Sequence, residues 1–215
     1  MYNPPQFREE RIEVLHGTMQ AIGAATLVSH GPQGFEATHV PIHLSPEPAP
    51  WGTIRCHFAR ANGHLQSLAG GADVLAIVQG PQAYVSPNWY PSKHATGKAV
   101  PTWNYVAVHA HGSATIRDDA AWLRAHVAAL TGRHERGQAL PWRIEDAPPE
   151  FIEGMLRAIV GVELRLTRIE GKWKASQNRP APDREGVVAG LRAQGDPASL
   201  AMVELVAQAL AGRTP

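Results

Sequence analysis

The sequence predicts a mainly β fold with helices, in which a small barrel is flanked by helical segments. Three observations carry that reading. Roughly six or seven stretches alternate or run apolar at strand length, with turn residues between them. Gly (20) and Pro (18) are frequent, while charged residues make up only 18% of the 215 residues, a balance that favours turns and short strands over a helical bundle. Helical spacing is confined to the start of the chain, one short mid-chain turn and the later half, so helices flank the strands.

In chain order, Arg8 to Ile22 is predicted as a helix, with Ile12, Leu15 and Met19 at helical spacing. The period then becomes 2. Ala24 to Ser29 is an apolar strand, and Thr38 to Leu44 alternates, with Val40, Ile42 and Leu44 on one face. Pro41 marks that strand as an edge or a bulge. Thr53 to Ala59 alternates again, Ile54, Cys56 and Phe58 against Arg55 and His57. Asn62-Gly63 breaks it, His64 to Leu68 is a short helix, and Gly70-Gly71 ends that helix. Val74 to Val78 and Gln82 to Ser86 are predicted as a hairpin around Gly80-Pro81, followed by a long polar loop to Pro101. Trp103 to Ile116 is the longest strand pattern. Helices are expected from Asp118, as N-cap, and from Pro148-Pro149, then a last strand over Val162 to Ile169. Beyond Pro180-Ala181-Pro182, two helices start at Asp183 and Asp196. This divides the chain into a barrel domain over 1–179 and a helical appendage over 180–215.

Apolar residues reach 44%, enough for a substantial core, and the net charge is only +1. A protein held by phosphate-backbone contacts shows a basic excess, so nucleic-acid binding would need a local patch. Cys56 is the only cysteine, which excludes an intrachain disulfide and suits a reducing compartment. The amino-terminal residues lack the apolar run of a signal peptide, and no stretch reaches bilayer length; the expectation is a cytoplasmic protein with no membrane contact. The glycine-rich nucleotide loops and the nucleophile elbow are absent.

Eleven histidines raise the question of a metal. His39 and His43 lie about 13 Å apart along a strand, too far for one ion, and His109 and His111 about 6.7 Å. Hydrogen-bonding or solvent positions are the expectation, with no metal site. The segment His57 to His64 carries more: a strand empties into a helix through Gly63, with Arg60, Asn62 and His64 at the junction. Unpaired helix N–H groups and basic side chains suit a phosphate there, although an ordinary polar loop fits the same residues. Trp89, Tyr90, Trp103 and Tyr105 bracket a Lys-bearing loop; they suit a planar ligand, a subunit interface or plain core packing. After the last strand, Lys174, Gln177 and Arg179 form a donor-rich stretch, either a solvated linker or a reach toward an anionic or carbonyl-bearing ligand.

Taken together, Met1-Tyr2 with Pro4 and Phe7, His39-Val40-Pro41, Ala59-Arg60-Ala61-Asn62, Tyr84-Val85-Ser86-Pro87 with Trp89-Tyr90, Val100 to Tyr105, and Ser176-Gln177-Asn178-Arg179 resemble the PaiB family of FMN-binding regulators. The resemblance runs from residue 1 to about 195. It implies an FMN-binding split β-barrel, usually a homodimer with the flavin at the subunit interface. By similarity to the wider split-barrel flavoproteins, Thr38 to Pro41, with His39, Val40 and Pro41, would run along the flavin ring, and Arg60, Asn62 and His64 would meet the phosphate. His57, Trp103, Asn104, Lys174, Gln177 and Arg179 complete the expected cofactor-binding set. Asn62-Gly63-His64 departs from the Ser-Arg-Lys run that serves the phosphate in pyridoxamine-phosphate-oxidase-like proteins, and carries less fixed charge.

The expected function is a flavin-dependent redox or sensing role linked to transcriptional regulation, and no residue is marked as a catalytic acid or base. A direct DNA-binding repressor is the first alternative. Its would-be recognition helix, Ser199 to Ala211, contains Glu204 and Gln208 but no Lys or Arg, so direct DNA contact is not expected. A haem-binding barrel, with His109 or His111 as axial ligand, is the second.

Overall fold

Apolar alternation and turn chemistry set most of the elements seen in the computed structural model, which describes residues 1–211. In order these are β1 (Arg8–Glu9), α1 (Ile12–Ile22), β2 (Ala24–Gly31), β3 (Gly34–Pro41), β4 (His43–Ser45), β5 (Thr53–Ala59) and α2 (His64–Leu68). There follow β6 (Asp73–Val85), α3 (Pro91–Thr96), β7 (Thr102–Arg117), α4 (Ala120–His134), α5 (Pro149–Arg157), β8 (Ile159–Lys174), α6 (Ala181–Gln194) and α7 (Pro197–Leu210). The expected mainly β fold with helices is observed. Hydrogen-bonded neighbours run β3-β2-β6-β7-β8-β5-β4, with β1 attached to β8; β1 with β8, β2 with β3 and β6, and β5 with β4 and β8 pair antiparallel. The sheet is not closed, as a split barrel requires.

Two compact units share the long strands. The larger gathers Ile12–Val78 and His109–Ile169; the smaller gathers Met1–Arg11, Gln79–Val108 and the chain from Glu170 onward. The last residues of the expected appendage, 212–215, lie outside the described residues.

In the larger unit, inward residues of successive strands form the core: Leu27 from β2, Val40 from β3, Ile54, Cys56 and Phe58 from β5, and Val162 and Leu164 from β8 are buried. Thr38 to Leu44, expected as one strand, is divided between β3 and β4, which lie at opposite ends of the strand order. Buried Ile42 joins them, its N–H bonded to the Gly23 carbonyl at 2.8 Å. The chain itself therefore crosses the seam between the two sheet edges, and Pro41 sits at the edge that its missing N–H permits. α4 is capped by Asp119, whose carboxylate accepts from the Trp122 N–H at 2.6 Å. Asp118, the expected cap, is instead bound to Arg60.

In the smaller unit, the hairpin expected at Gly80-Pro81 does not form: β6 runs straight through both residues. Its pairing with β2 ends at Ile77, so Pro81 removes no donor from that ladder. Gly80 is there for space, since a Cβ would lie 2.9 Å from Val106 Cβ. Arg8 and Glu9 are not helical. They pair with Lys172 and Gly171, and the Glu9 carboxylate accepts the Arg11 N–H, turning the chain before α1 begins. The polar loop after Ser86 contains α3, and the last strand extends from Ile159 to Lys174. α6 starts at Ala181 rather than Asp183. The buried Asp183 carboxylate instead accepts from the N–H (3.0 Å) and hydroxyl (2.6 Å) of Ser92, capping α3. Gly186 and Gly190 let α6 lie against Trp89, and α6 and α7 close over Val85, Tyr90 and Ala175.

Candidate functional site

The expected site residues fall into two groups, one in each unit. In the larger unit the group centres on β3, the end of β5 and α2. β2 places Ala25, Leu27 and Ser29 on its buried face, so a hydroxyl sits among apolar neighbours. The buried His64 imidazole satisfies it: Nε2 lies 2.8 Å from Ser29 Oγ and Nδ1 2.8 Å from Thr38 Oγ1. Asn62 joins through Nδ2, 3.4 Å from Thr38 Oγ1, and its Oδ1 accepts the His64 N–H at 3.0 Å. Burial lowers the His64 pKa, opposed by the Glu36 charge, so the ring is neutral near pH 7 and one nitrogen donates while the other accepts.

This corner opens outward. β3 terminates the strand order, with a ladder partner on its β2 side only, so its second row of backbone groups is unpaired in the sheet. His39 and Pro41 project from that strand into solvent, while Val40 turns inward. His39 Nδ1 lies 2.7 Å from Thr26 Oγ1. A Cβ built on Gly63 would meet no atom within 4 Å, so the turn into α2 faces open space.

Two expected members stand apart. Arg60 is exposed, yet its guanidinium is committed: NH1 and NH2 bind the two Asp118 oxygens at 2.8 and 2.6 Å, and Nε and NH2 reach the Arg157 and Ile159 carbonyls. It pins the end of β5 rather than facing the corner with a free charge. His57 lies on the opposite face of β5 from Phe58 and pairs with His126 of α4, Nδ1 to Nε2 at 3.1 Å. Burial lowers the His57 pKa, and burial followed by the charges of His57, His43 and Arg55 holds His126 at about 4.

The smaller unit carries the second group. Trp103 is 54% exposed and meets Tyr84 edge-on, ring centroids 6.1 Å apart. Lys174 Nζ donates to Thr102 Oγ1 at 2.7 Å and to the Trp103 carbonyl. Burial, then the charges of Lys172 and Arg179, lowers its pKa. Asn104 is buried and donates to Ser176 Oγ at 2.9 Å. Gln177 braces its own turn, accepting the Ala175 N–H and donating to the Trp173 carbonyl. The Arg179 guanidinium lies 4.6 Å over the Tyr90 ring. This unit thus carries the exposed Trp103 and Tyr84 and the half-buried Lys174 and Arg179, with Lys172 buried.

Sequence reasoning passed over Ser29, Thr38 as a hydrogen-bonding hub, and Asp118 as the partner of Arg60. Ser29 had a signal: a polar residue at an inward position of an apolar alternation. Among the described residues no group of His, Cys, Asp and Glu could hold a metal ion, and no helix is long and apolar enough to cross a membrane.

Residues 1–168 match the family model described as "Putative FMN-binding domain". The protease synthase and sporulation protein PAI 2 of Bacillus subtilis is 30% identical over 206 residues, covering 96% of this chain and 96% of that protein. Among solved structures, the FAD and haem binding protein of Mycobacterium smegmatis superposes with a TM-score of 0.58 at 16% identity, covering 78% of this chain and 73% of that one. The flavocytochrome Anf3 of Azotobacter vinelandii also has a TM-score of 0.58, at 14% identity over 78% of this chain and 69% of that one. At those identities the two structures bear on the fold alone. The family match along residues 1–168 and the likeness to the Bacillus protein over nearly all of both chains make one assignment: this chain belongs to the PaiB family of flavin-binding split-barrel proteins.

Proposed function

We propose that the chain binds FMN in a homodimer and uses it in a redox or sensing role linked to transcriptional regulation. The observation that carries the reading is the open edge of β3 beside the Thr38–Asn62–His64 corner. An unpaired strand edge presents alternating N–H and C=O groups, the complement of a flavin's pyrimidine edge, and Thr38 to Pro41 lie on it. The open turn at Gly63 leaves space for the phosphate, which Asn62 Nδ2 and the turn's backbone would receive. Arg60 acts from behind by fixing the end of β5 through Asp118. His64 holds Thr38 and Ser29 in register, and so positions the corner.

Bound FMN supplies the electron chemistry; the protein binds, orients and shields. Trp103, Lys174, Gln177 and Arg179 are assigned to the same cofactor from the partner subunit, exposed aromatic and cationic groups being suited to a flavin face and its anionic end. A DNA-reading role for α7 finds no support: the helix carries no Lys or Arg, and buries Met202, Val203 and Val206.

The test is titration of the purified chain with FMN, followed by the flavin's visible band, with sedimentation of the same sample. Saturable uptake by a dimer, weakened by Asn62→Ala, supports the reading. Absence of uptake, or uptake indifferent to Asn62, contradicts it.

A further inference from the structure

We propose that a second ligand site, for a small phosphate monoester, lies in the cleft between α1, β4 and the last turn of α4. The cleft encloses about 510 Å³, within the range of small-molecule sites. Gln20 lines it from α1, His43 and Leu44 from β4, and Gly132 and Arg133 from α4, with Arg136 just beyond. No carboxylate is among its lining residues.

Neither cation is paired. Among the described residues neither the Arg133 nor the Arg136 guanidinium has a hydrogen bond or ion pair, while the Glu135 carboxylate, charged and adjacent in sequence, accepts the Trp142 N–H at 3.0 Å. Arginines in the last turn of a helix also offset its dipole. That accounts for their sign, but not for the concavity or for the second, independent feature: His43 Nδ1 is a buried ring nitrogen without a partner. Buried polar atoms ordinarily have one. The Gln20 amide reaches the Leu44 carbonyl only at 3.5 Å, which leaves it able to donate elsewhere. Gly132 adds room, since a Cβ there would meet nothing within 4 Å. Two guanidinium forks match phosphate oxygens, and Leu44 offers an apolar wall to an organic body.

The test is calorimetric titration of the full chain with phenyl phosphate and with inorganic phosphate, in chain presaturated with FMN so that any flavin-phosphate seat is filled. Repeating it without FMN keeps the result readable should flavin binding fail. Phenyl phosphate is expected to bind more tightly than inorganic phosphate. The double variant Arg133→Gln, Arg136→Gln should weaken it about tenfold or more. Arg192→Gln, on the exposed face of α6, should leave it unchanged, and the thermal midpoint confirms folding of each variant. Equal affinity for both probes would overturn the ester assignment. Unchanged affinity in the double variant, or no saturable heat with either probe, would overturn the site.

Discussion

The Ser29–His64–Thr38 chain of hydrogen bonds allows a thermodynamic cycle whose outcome follows from burial. His64→Phe keeps a ring of similar size and removes both nitrogens. Ser29 is 3% exposed, so its hydroxyl loses its partner where water cannot replace it, at about 1–3 kcal/mol. Loss of the 2.8 Å bond to the less buried Thr38 adds about 1 kcal/mol. The single variant should therefore lose about 2–4 kcal/mol, a large share of the roughly 5–15 kcal/mol typical of a folded domain. Ser29→Ala alone strands the His64 Nε2 and costs about 1–3 kcal/mol. In the His64→Phe background the same change removes a hydroxyl that is already unpaired, and should cost little or restore stability. The expected coupling is about 1–3 kcal/mol, within the range for residues in contact. Urea unfolding with linear extrapolation measures it, provided the slope is common to all four proteins. Additive costs across the cycle would refute the claim that His64 serves as the buried partner of Ser29.

The remaining predictions use other parts of the molecule. The folded chain holds His126 at about 4, against an ordinary value of 6.5, so between those pH values the unfolded chain binds more protons. Stability is then complete above about pH 6.5 and falls as pH drops to about 4, by on the order of 3 kcal/mol; His126→Phe should flatten that slope in denaturant titrations, and an unchanged slope would contradict the assignment. Burial pushes the Cys56 thiol up to about 12, so maleimide should label it only as the chain unfolds, and rapid labelling of native protein would contradict its burial. A Cβ on Gly190 would lie 2.2 Å from Trp89 Cδ2; Gly190→Ala should destabilise by about 1–3 kcal/mol or more, whereas Gly17→Ala, in open space on α1, should stabilise by about 0.5–1 kcal/mol. Equal thermal midpoints for the two variants would count against the packing described.

Elements with local causes were legible in the sequence. β5 and α2 fall at their expected residues, because alternation and the Asn62-Gly63 break are local signals. Asp196 caps α7 as expected, accepting from the Ala198 and Ser199 N–H groups. What escaped depends on residues distant in the chain. Gly80-Pro81 reads as a turn until Val106 is seen lying against Gly80. Asp118 and Asp119 are equivalent as caps until Arg60, 58 residues away, claims the first. Arg60 itself reads as a free phosphate ligand for the same reason. The division of Thr38 to Leu44 has its cause in topology: Ile42 carries the chain from one sheet edge to the other, which no periodicity encodes. Asn62 and His64 stand out in the sequence as polar side chains where a strand hands over to a short helix, whereas Ser29 becomes significant only once β2 lies beside α2.

The most direct measurement is equilibrium binding of FMN to the purified chain, comparing wild type with Asn62→Ala and with His64→Phe under conditions where all three are folded. The account predicts saturable perturbation of the flavin spectrum by wild type, weaker binding by both variants, and a dimer in the bound state. Wild-type chain that leaves the spectrum of added FMN unaltered, or variants that bind as tightly as wild type, would contradict it.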